Sequence, residues 1–194
     1  TETPKFAFVK GPVWGVGEDD MQEQIVKFIK NLSFEVEELN LGDDFNEAAS
    51  SHEIIMNGSI AKSLSQYYKT EKEKLHPFTI SRIEAGFPVS AKQYIESIEN
   101  AKKMQQTLSK LFNEFDAIIT PAAPGQAPRD LMNTGNAIFN GYWTMMGVPA
   151  ISLPLLKGKD SLPIGVQIIT SWNEDFKLLK IAEYILQETK KLAD

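Results

Sequence analysis

The sequence predicts an α/β fold, an α/β/α layered domain in which helices cover both faces of a mixed β-sheet. Short, partly β-branched apolar runs alternate along the chain with longer segments whose apolar residues recur at helical spacing. The first two such runs flank a single helical segment, which is typical of a β-α-β unit with parallel strands. With 42% apolar residues in a length of 194, the chain can bury a substantial core.

The amino-terminal unit contains the first two predicted strands. Lys5–Val9 is apolar and short enough for a strand, and the turn-rich segment Gly11–Gly17 follows it. Apolar residues then recur at helical spacing over Met21–Leu32. Glu35–Leu41 supplies the second strand, so the sheet is expected to be at least partly parallel.

Two capping-box pairs predict where the long central helices begin: Asp44 with Glu47, and Ser90 with Gln93. In each pair, the side chain of the second residue would reach back to the backbone of the first. The first of these helices is expected to end near Tyr68. The second leads into the next strand.

The second half of the chain is predicted to contain three strands and two helices. The strand Ala117–Thr120 is followed by a helix at Ile138–Met146. Two apolar runs, Ala150–Leu156 and Ile164–Thr170, are both expected to be interior strands. The closing helix begins near Glu174. No repeat, linker or low-complexity segment divides the sequence, so residues 1–194 are predicted to form a single α/β domain.

A loop stiffened by prolines follows the strand Ala117–Thr120 directly. Proline fixes the backbone angle φ, so this loop is expected to be ordered but irregular through Pro121, Pro124, Gly125 and Pro128. In open α/β sheets, ligands usually bind beyond the carboxyl ends of the strands. We therefore expect the loop to shape a binding site.

The charge and the cysteine content exclude several classes of partner and chemistry. The chain has 20 Lys and Arg against 26 Asp and Glu, for a formal charge of −6, and no basic patch, so neither nucleic acid nor an anionic membrane is an expected partner. The mixed-sign run Lys69–Lys74 is expected to be a solvated helix end. The absence of cysteine excludes disulfides and thiolate catalysis and favours a cytoplasmic location.

Membrane insertion and targeting are not predicted. No apolar stretch approaches the roughly 20 residues of a membrane span. No charged-then-apolar leader precedes the first strand, although the chain begins with Thr1 and its natural amino terminus is expected elsewhere.

The sequence contains no complete catalytic constellation. Trp14–Gly17 has two glycines of a dinucleotide-binding turn, but Asp20 occupies the position of the third. His52 and His76 have no partners at metal-ligand spacing, and we expect them at the boundary of the core and at a helix end. No Gly-x-Ser-x-Gly motif is present. We therefore predict no catalytic residue, no metal and no cofactor in this chain.

Four blocks in order give the chain a resemblance to a known family: DAIITPAAPGQAP from Asp116, FNGYWTMMGVPAISLP from Phe139, LPIGVQIIT from Leu162, and the closing helix with Asp175 and Leu178. The sequence resembles the carboxyl-terminal half of the amidase signature family, serine hydrolases that cleave carbon–nitrogen amide bonds. The earlier part of the chain is similar to the segment that links the family's catalytic region to this half.

The resemblance implies that the catalytic groups lie outside this chain. Family members use a serine nucleophile in a Gly/Ser-rich signature, a second serine held by a cis peptide bond, and a lysine. No such run occurs here, so the chain is predicted to be an inactive carboxyl-terminal fragment of a larger amidase. Its expected partners are a small-molecule amide and the amino-terminal catalytic half of the same protein. The bare surface left by the missing half favours self-association, so a homo-oligomer is also considered.

The resemblance also implies that the proline loop and the segment after it face the catalytic centre across the pocket. The predicted substrate-binding residues are Phe139, Asn140, Trp143 and Thr144. Phe139 and Trp143 lie four residues apart on a helix, so an ordinary core position is an open alternative for both. Gln167, a polar residue within an apolar strand, is expected to bond neighbouring backbone rather than substrate.

Two other functions stay open. One is that of the A-type component of a glutamine-dependent aminoacyl-tRNA amidotransferase, which would act with a tRNA-bound assembly. In those proteins, the resemblance implies an aspartate seven residues before the position of Thr144, and Ala137 stands there in this chain. The other is a non-catalytic α/β binding module that keeps the fold without the chemistry.

Overall fold

One five-stranded sheet with six surrounding helices makes up the computed structural model, which describes residues 3–191. The order across the sheet is β2-β1-β3-β5-β4, and the strands are β1 (Phe6–Val9), β2 (Val36–Leu39), β3 (Ala117–Pro121), β4 (Ala150–Lys157) and β5 (Pro163–Ile169). The helices are α1 (Asp19–Asn31), α2 (Ala48–Thr70), α3 (Pro77–Gly86), α4 (Ala91–Leu111), α5 (Ile138–Met146) and α6 (Asp175–Lys191).

The sheet is mixed, as the sequence predicts. β1 runs parallel to both of its neighbours, with Phe6 beside Val36 of β2 and Ala117 of β3. β5 runs antiparallel to β3 and to β4. The predicted β-α-β unit is therefore confirmed, and β3 joins it from the far side of β1.

Helices α1 and α6 cover one face of the sheet. The Phe6 ring stacks on Tyr184 of α6 with ring centroids 6.3 Å apart, and its other neighbour is Phe34 at 4.7 Å. Ser33, just beyond α1, donates to a Glu188 carboxylate oxygen of α6 at 2.6 Å. The buried side of α6 is the stripe that its sequence predicts, with Leu178, Ile181, Ala182 and Ile185.

Helix α5 lies on the opposite face, and α2 and α4 pack behind it. Side chains alternate between faces along a strand, so Thr120 faces away from the layer that contains Phe6. The Tyr142 hydroxyl of α5 approaches Thr120 on this second face. Gln105 of α4 donates to the carbonyl oxygen of Met146 at 3.1 Å and so fixes the end of α5.

The strand order corrects one expectation about the two apolar runs near the carboxyl end. β5 is interior, but β4 is an edge strand. The alternation of exposed and buried residues along β4 reflects this position, with Leu153 and Leu156 buried on either side of a bulge. Pro154 has no N–H for a ladder and is therefore tolerated at an edge.

Only one of the two predicted capping boxes forms. Ser90 Oγ accepts from the backbone N–H of Gln93 at 3.2 Å, and the Gln93 side chain accepts from the backbone of Ser90 at 3.0 Å. The Asp44–Glu47 prediction is wrong, because Asp44 lies in a short 3₁₀ turn at Asp43–Phe45 and α2 begins after Glu47 without a side-chain cap. His76 caps the start of α3, where Nδ1 accepts from Phe78 N at 3.2 Å.

Replacing Ser90 with alanine is expected to lower the free energy of unfolding by about 1 kcal/mol, because the first turn of α4 loses its capping bond. Chemical denaturation measures the change. Glu47→Ala is the matched control, since Glu47 occupies the same position in α2 without capping it, and it should stay within about 0.5 kcal/mol of the parent. Equal effects of the two substitutions would contradict the prediction.

Candidate functional site

The carboxyl ends of β1, β2 and β3 meet at one edge of the sheet because these strands are parallel. The chain leaves β1 toward β2 on one side and returns as β3 on the other. A crevice outside the carboxyl ends at such a reversal is the usual ligand position in open α/β sheets. Gly11 and Thr120 lie at this edge, beside the proline loop and α5.

The first part of the proline loop is anchored by its backbone. The N–H of Glu18, at the start of α1, donates to the Pro124 carbonyl at 2.7 Å. Ala122 N and Ala127 N donate to the carbonyls of Gly165 and Pro163 at 3.1 and 3.2 Å. These bonds join the loop to α1 and to β5, so the predicted stiffness has a structural basis beyond the prolines.

Side chains connect the same loop to the turn between β4 and β5. Arg129 and Asp160 form an ion pair of 2.5 Å, and the Gln126 amide donates to the other carboxylate oxygen of Asp160 at 2.7 Å. The backbone N–H of Asp160 returns a bond to Gln126 Oε1 at 3.1 Å. Arg129, and then Gln126, hold the pKa of Asp160 below its ordinary value. The loop is therefore held at two sites in the sheet.

The second part of the loop is exposed. Leu131 and Met132 are 97% and 91% exposed, which is unusual for large apolar side chains. Local side-chain bonds shape this part, such as Asn133 Oδ1 accepting from Gly135 N at 2.9 Å. Asn136 Oδ1 accepts from Ile138 N at 3.0 Å where α5 begins. This part of the loop presents apolar surface on a defined backbone.

Replacing Asp160 with alanine is expected to speed hydrogen exchange at the Ala127 amide several-fold, because the loop loses both side-chain bonds that hold it to the β4–β5 turn. NMR-detected exchange measures the change. Asp130→Ala is the matched control, since the Asp130 carboxylate bonds Met132 N within the loop and does not connect it to the sheet. Equal acceleration in both variants would contradict the anchoring role.

The four predicted substrate-binding residues divide by burial. Phe139 and Trp143 are 0% and 1% exposed and belong to the hydrophobic core. Thr144 is exposed and Asn140 is partly exposed. Asn140 and Thr144 lie one helical turn apart, so they share a face of α5. The structure thus brings the two polar residues to an accessible face and the two aromatic rings to the interior.

His52 of α2 supports α5 from behind. A Cβ on Gly141 would lie 2.5 Å from His52 Nδ1, so the imidazole packs directly on the α5 backbone. Burial lowers the pKa of His52, which Glu53 partly opposes and Arg82 reinforces. The predicted position of His52 at the boundary of the core is confirmed, and its neutral form is favoured there.

Sequence reasoning missed a cluster of buried polar atoms under α5. Thr120 Oγ1, the Tyr142 hydroxyl, Trp143 Nε1 and Gln167 Nε2 are buried and have no hydrogen-bond partner within residues 3–191. The expectation that the Gln167 side chain bonds backbone is wrong for its amide nitrogen. A threonine and a glutamine inside two apolar strands were the available sequence signals, but Tyr142 and Trp143 gave none.

The described residues contain few other candidates. Across residues 3–191, no group of three His, Cys, Asp or Glu side chains is arranged to hold a metal ion. Trp14–Val16 forms a 3₁₀ turn. A cavity of about 460 Å³ lies beyond the ends of β1 and β2, where Lys10 pairs with Glu38 at 2.6 Å. No helix within the described part of the chain is long and apolar enough to cross a bilayer.

The chain belongs to the amidase family, whose sequence model matches residues 5–179. It is 31% identical over 144 residues to the A-type component of the glutamyl-tRNA(Gln) amidotransferase of Clostridium botulinum (strain Eklund 17B / Type B), covering 68% of this chain and 30% of that protein. The corresponding protein of Borreliella afzelii is 37% identical over 87 residues, covering 41% of this chain and 18% of that protein. The chain therefore spans about a third or less of these curated relatives.

Solved structures share the fold. A crystal structure of an amidase superposes with a TM-score of 0.85 at 19% identity, covering 96% of this chain and 46% of that chain. A bacterial aryl acylamidase of the amidase signature family gives 0.65 at 18%, covering 90% and 41%. The A-type amidotransferase component of Thermotoga maritima gives 0.62 at 21%, covering 91% and 40%. The predicted α/β fold and family resemblance are confirmed.

Proposed function

We propose that this chain is the carboxyl-terminal part of an amidase signature hydrolase that converts an amide and water to a carboxylate and ammonia or an amine. The observation that carries the proposal is the anchored proline loop followed by α5, at the carboxyl edge of the parallel strands, in a family member without a Gly/Ser-rich nucleophile segment. The other half of the protein would supply the serine nucleophile and its proton relay. Residues 1–194 would form one domain beside it, in the cytoplasm.

The chain's first role in this proposal is to complete the sheet. β4 and β2 are the edges of the sheet within the described residues. β4 has eight residues against four in β2, and its Ile151 and Leu155 are only partly buried. A longer, more apolar edge is the better template for further strands. The catalytic half would therefore join at β4.

The second role is to form one wall of the substrate pocket. Asn140 and Thr144 have accessible polar atoms for an amide substrate, and the predicted contacts of Phe139 and Trp143 stay a prediction. The buried rings would fix the face of α5 that carries the two polar residues. The substrate class that fits is a small or medium uncharged amide.

The A-type component of an amidotransferase is the second candidate, supported by the names of the curated relatives. Ala137, at the start of α5, argues against it. An aspartate at that position would pair with the ammonium group of glutamine, and such a charge-assisted bond contributes about 1.5 to 3 kcal/mol. We therefore propose an amidase rather than a glutaminase.

The first test asks where the nucleophile lies. The purified chain is incubated with aliphatic and aromatic amides and, separately, with a fluorophosphonate probe that labels activated serines. We expect no ammonia release above a heat-treated control and no labelling. Stoichiometric labelling of any serine in this chain would contradict the proposal.

The second test uses the coding sequence on the amino-terminal side of this segment. An in-frame Gly/Ser-rich signature is expected there, and the longer protein should release ammonia from uncharged amides. Glutamine turnover equal to that of uncharged amides would favour the amidotransferase instead. Absence of the signature would favour the non-catalytic module.

A further inference from the structure

The polar cluster under α5 is contiguous. Thr120 of β3 lies opposite Gln167 of β5, so the two side chains share the face of the sheet that α5 covers. The Tyr142 hydroxyl approaches Thr120 and Trp143, and the rings of Tyr142 and Trp143 lie 4.8 Å apart. The four polar atoms therefore lie between one helix and two neighbouring strands.

The Tyr142 hydroxyl occupies the crevice where the chain reverses direction across the sheet. A Cβ on Gly11, directly after β1, would lie 2.5 Å from that hydroxyl oxygen. Only glycine leaves room for it there. The polar end of Tyr142 thus reaches the carboxyl ends of β1 and β3 rather than solvent.

The chemistry of the cluster calls for an acceptor. The Trp143 indole and the Gln167 amide nitrogen can only donate hydrogen bonds, while the hydroxyls of Thr120 and Tyr142 can donate and accept. No charged side chain is among the buried residues of the described chain. A neutral molecule that both accepts and donates satisfies such a set, and at this degree of burial water is the one that fits.

We propose that ordered internal water joins the sheet residues Thr120 and Gln167 to the α5 residues Tyr142 and Trp143. Buried polar atoms in native proteins are paired with protein groups or with such water. Bridging water of this kind holds a helix to a sheet as a direct hydrogen bond does. Burial raises the pKa of Tyr142, and Trp143 and Thr120 only partly offset this, so the phenol stays protonated and can donate.

A high-resolution crystal structure of the protein tests the first half of the proposal. We expect a water peak at about 2.7–3.2 Å from at least one of the two sheet atoms and at least one of the two α5 atoms. Direct hydrogen bonds that satisfy all four atoms, with no water between α5 and the sheet, would overturn it.

Variants test whether the water holds the helix. Thr120→Val and Tyr142→Phe each remove a hydroxyl, and each is expected to lower the equilibrium constant for folding about tenfold. The double variant should lose much less than the product of the two single losses, because both act through the same bridge.

Two controls keep this test specific. Thr120→Ser retains the hydroxyl and should restore the coupling to Tyr142. Tyr94→Phe removes a hydroxyl that bonds Ser59 directly at 3.0 Å, and its effect should multiply independently with that of Thr120→Val. Single variants that fold as well as the parent, or losses in Thr120→Val and Tyr142→Phe that multiply independently, would overturn the proposal even if water is seen.

Discussion

Replacing Trp143 with alanine is expected to lower the free energy of unfolding by about 3–5 kcal/mol, because a fully buried indole leaves a cavity that the core cannot close. The ring is 1% exposed and packs on Tyr142. Chemical denaturation of the purified chain measures the loss. Trp14→Ala is the control: Trp14 is only partly buried, so its loss should be less than half as large.

The same substitution separates the two roles that the sequence leaves open for Trp143. In a longer, active protein, a core role predicts equal losses of activity on small and bulky amides. A pocket-wall role predicts a higher KM or lower kcat on bulky amides in particular. The burial of the ring favours equal losses, and selective loss on bulky substrates would contradict that expectation.

Replacing Gly86 with alanine is expected to lower the free energy of unfolding by about 3 kcal/mol, although alanine is the better helix former. A Cβ there would overlap the backbone carbonyl oxygen of Asn57 and lie 2.6 Å from Cβ of Ala61. Because the obstacle is backbone, α2 and α3 must separate to admit the methyl group.

Gly15→Ala is the matched control for Gly86→Ala. A Cβ on Gly15 meets nothing within 4 Å, so this substitution should change stability by less than about 0.5 kcal/mol. Denaturation curves of both variants provide the comparison. A Gly86→Ala protein as stable as its parent would show that the α2–α3 contact yields without cost.

Local signals in the sequence predicted most of the elements. Ile138–Met146 begins and ends where its helical spacing indicates, and Ser90 with Gln93 forms the expected cap. Asp44 with Glu47 has the same local pattern, but the chain turns as a 3₁₀ segment there, and Phe45 is buried as a result. A capping motif shows only what a helix start would use, not whether one forms.

Features that depend on strand order were not predictable from local pattern. β4 is as apolar as many interior strands, and its edge position follows from the pairing of β5 with β3. The Arg129–Asp160 pair that anchors the loop joins residues 31 apart in sequence. In the candidate site, spacing along α5 predicted that Asn140 and Thr144 share a face, but the burial of Tyr142 depends on Gly11, in a distant turn.

The pairing of β1 with β3 has a consequence for the order in which the chain folds. Lys5 N donates to Asp116 Oδ2 across 111 residues, whereas β4 and β5 are joined by a short turn. Contacts between residues far apart in sequence form late, because closing a long loop costs entropy before any contact compensates for it. On the ribosome, β1 and β2 are complete long before β3 exists. The centre of the sheet therefore closes only after the helices α2 to α4 have been synthesised, and β1 must stay unaggregated until then.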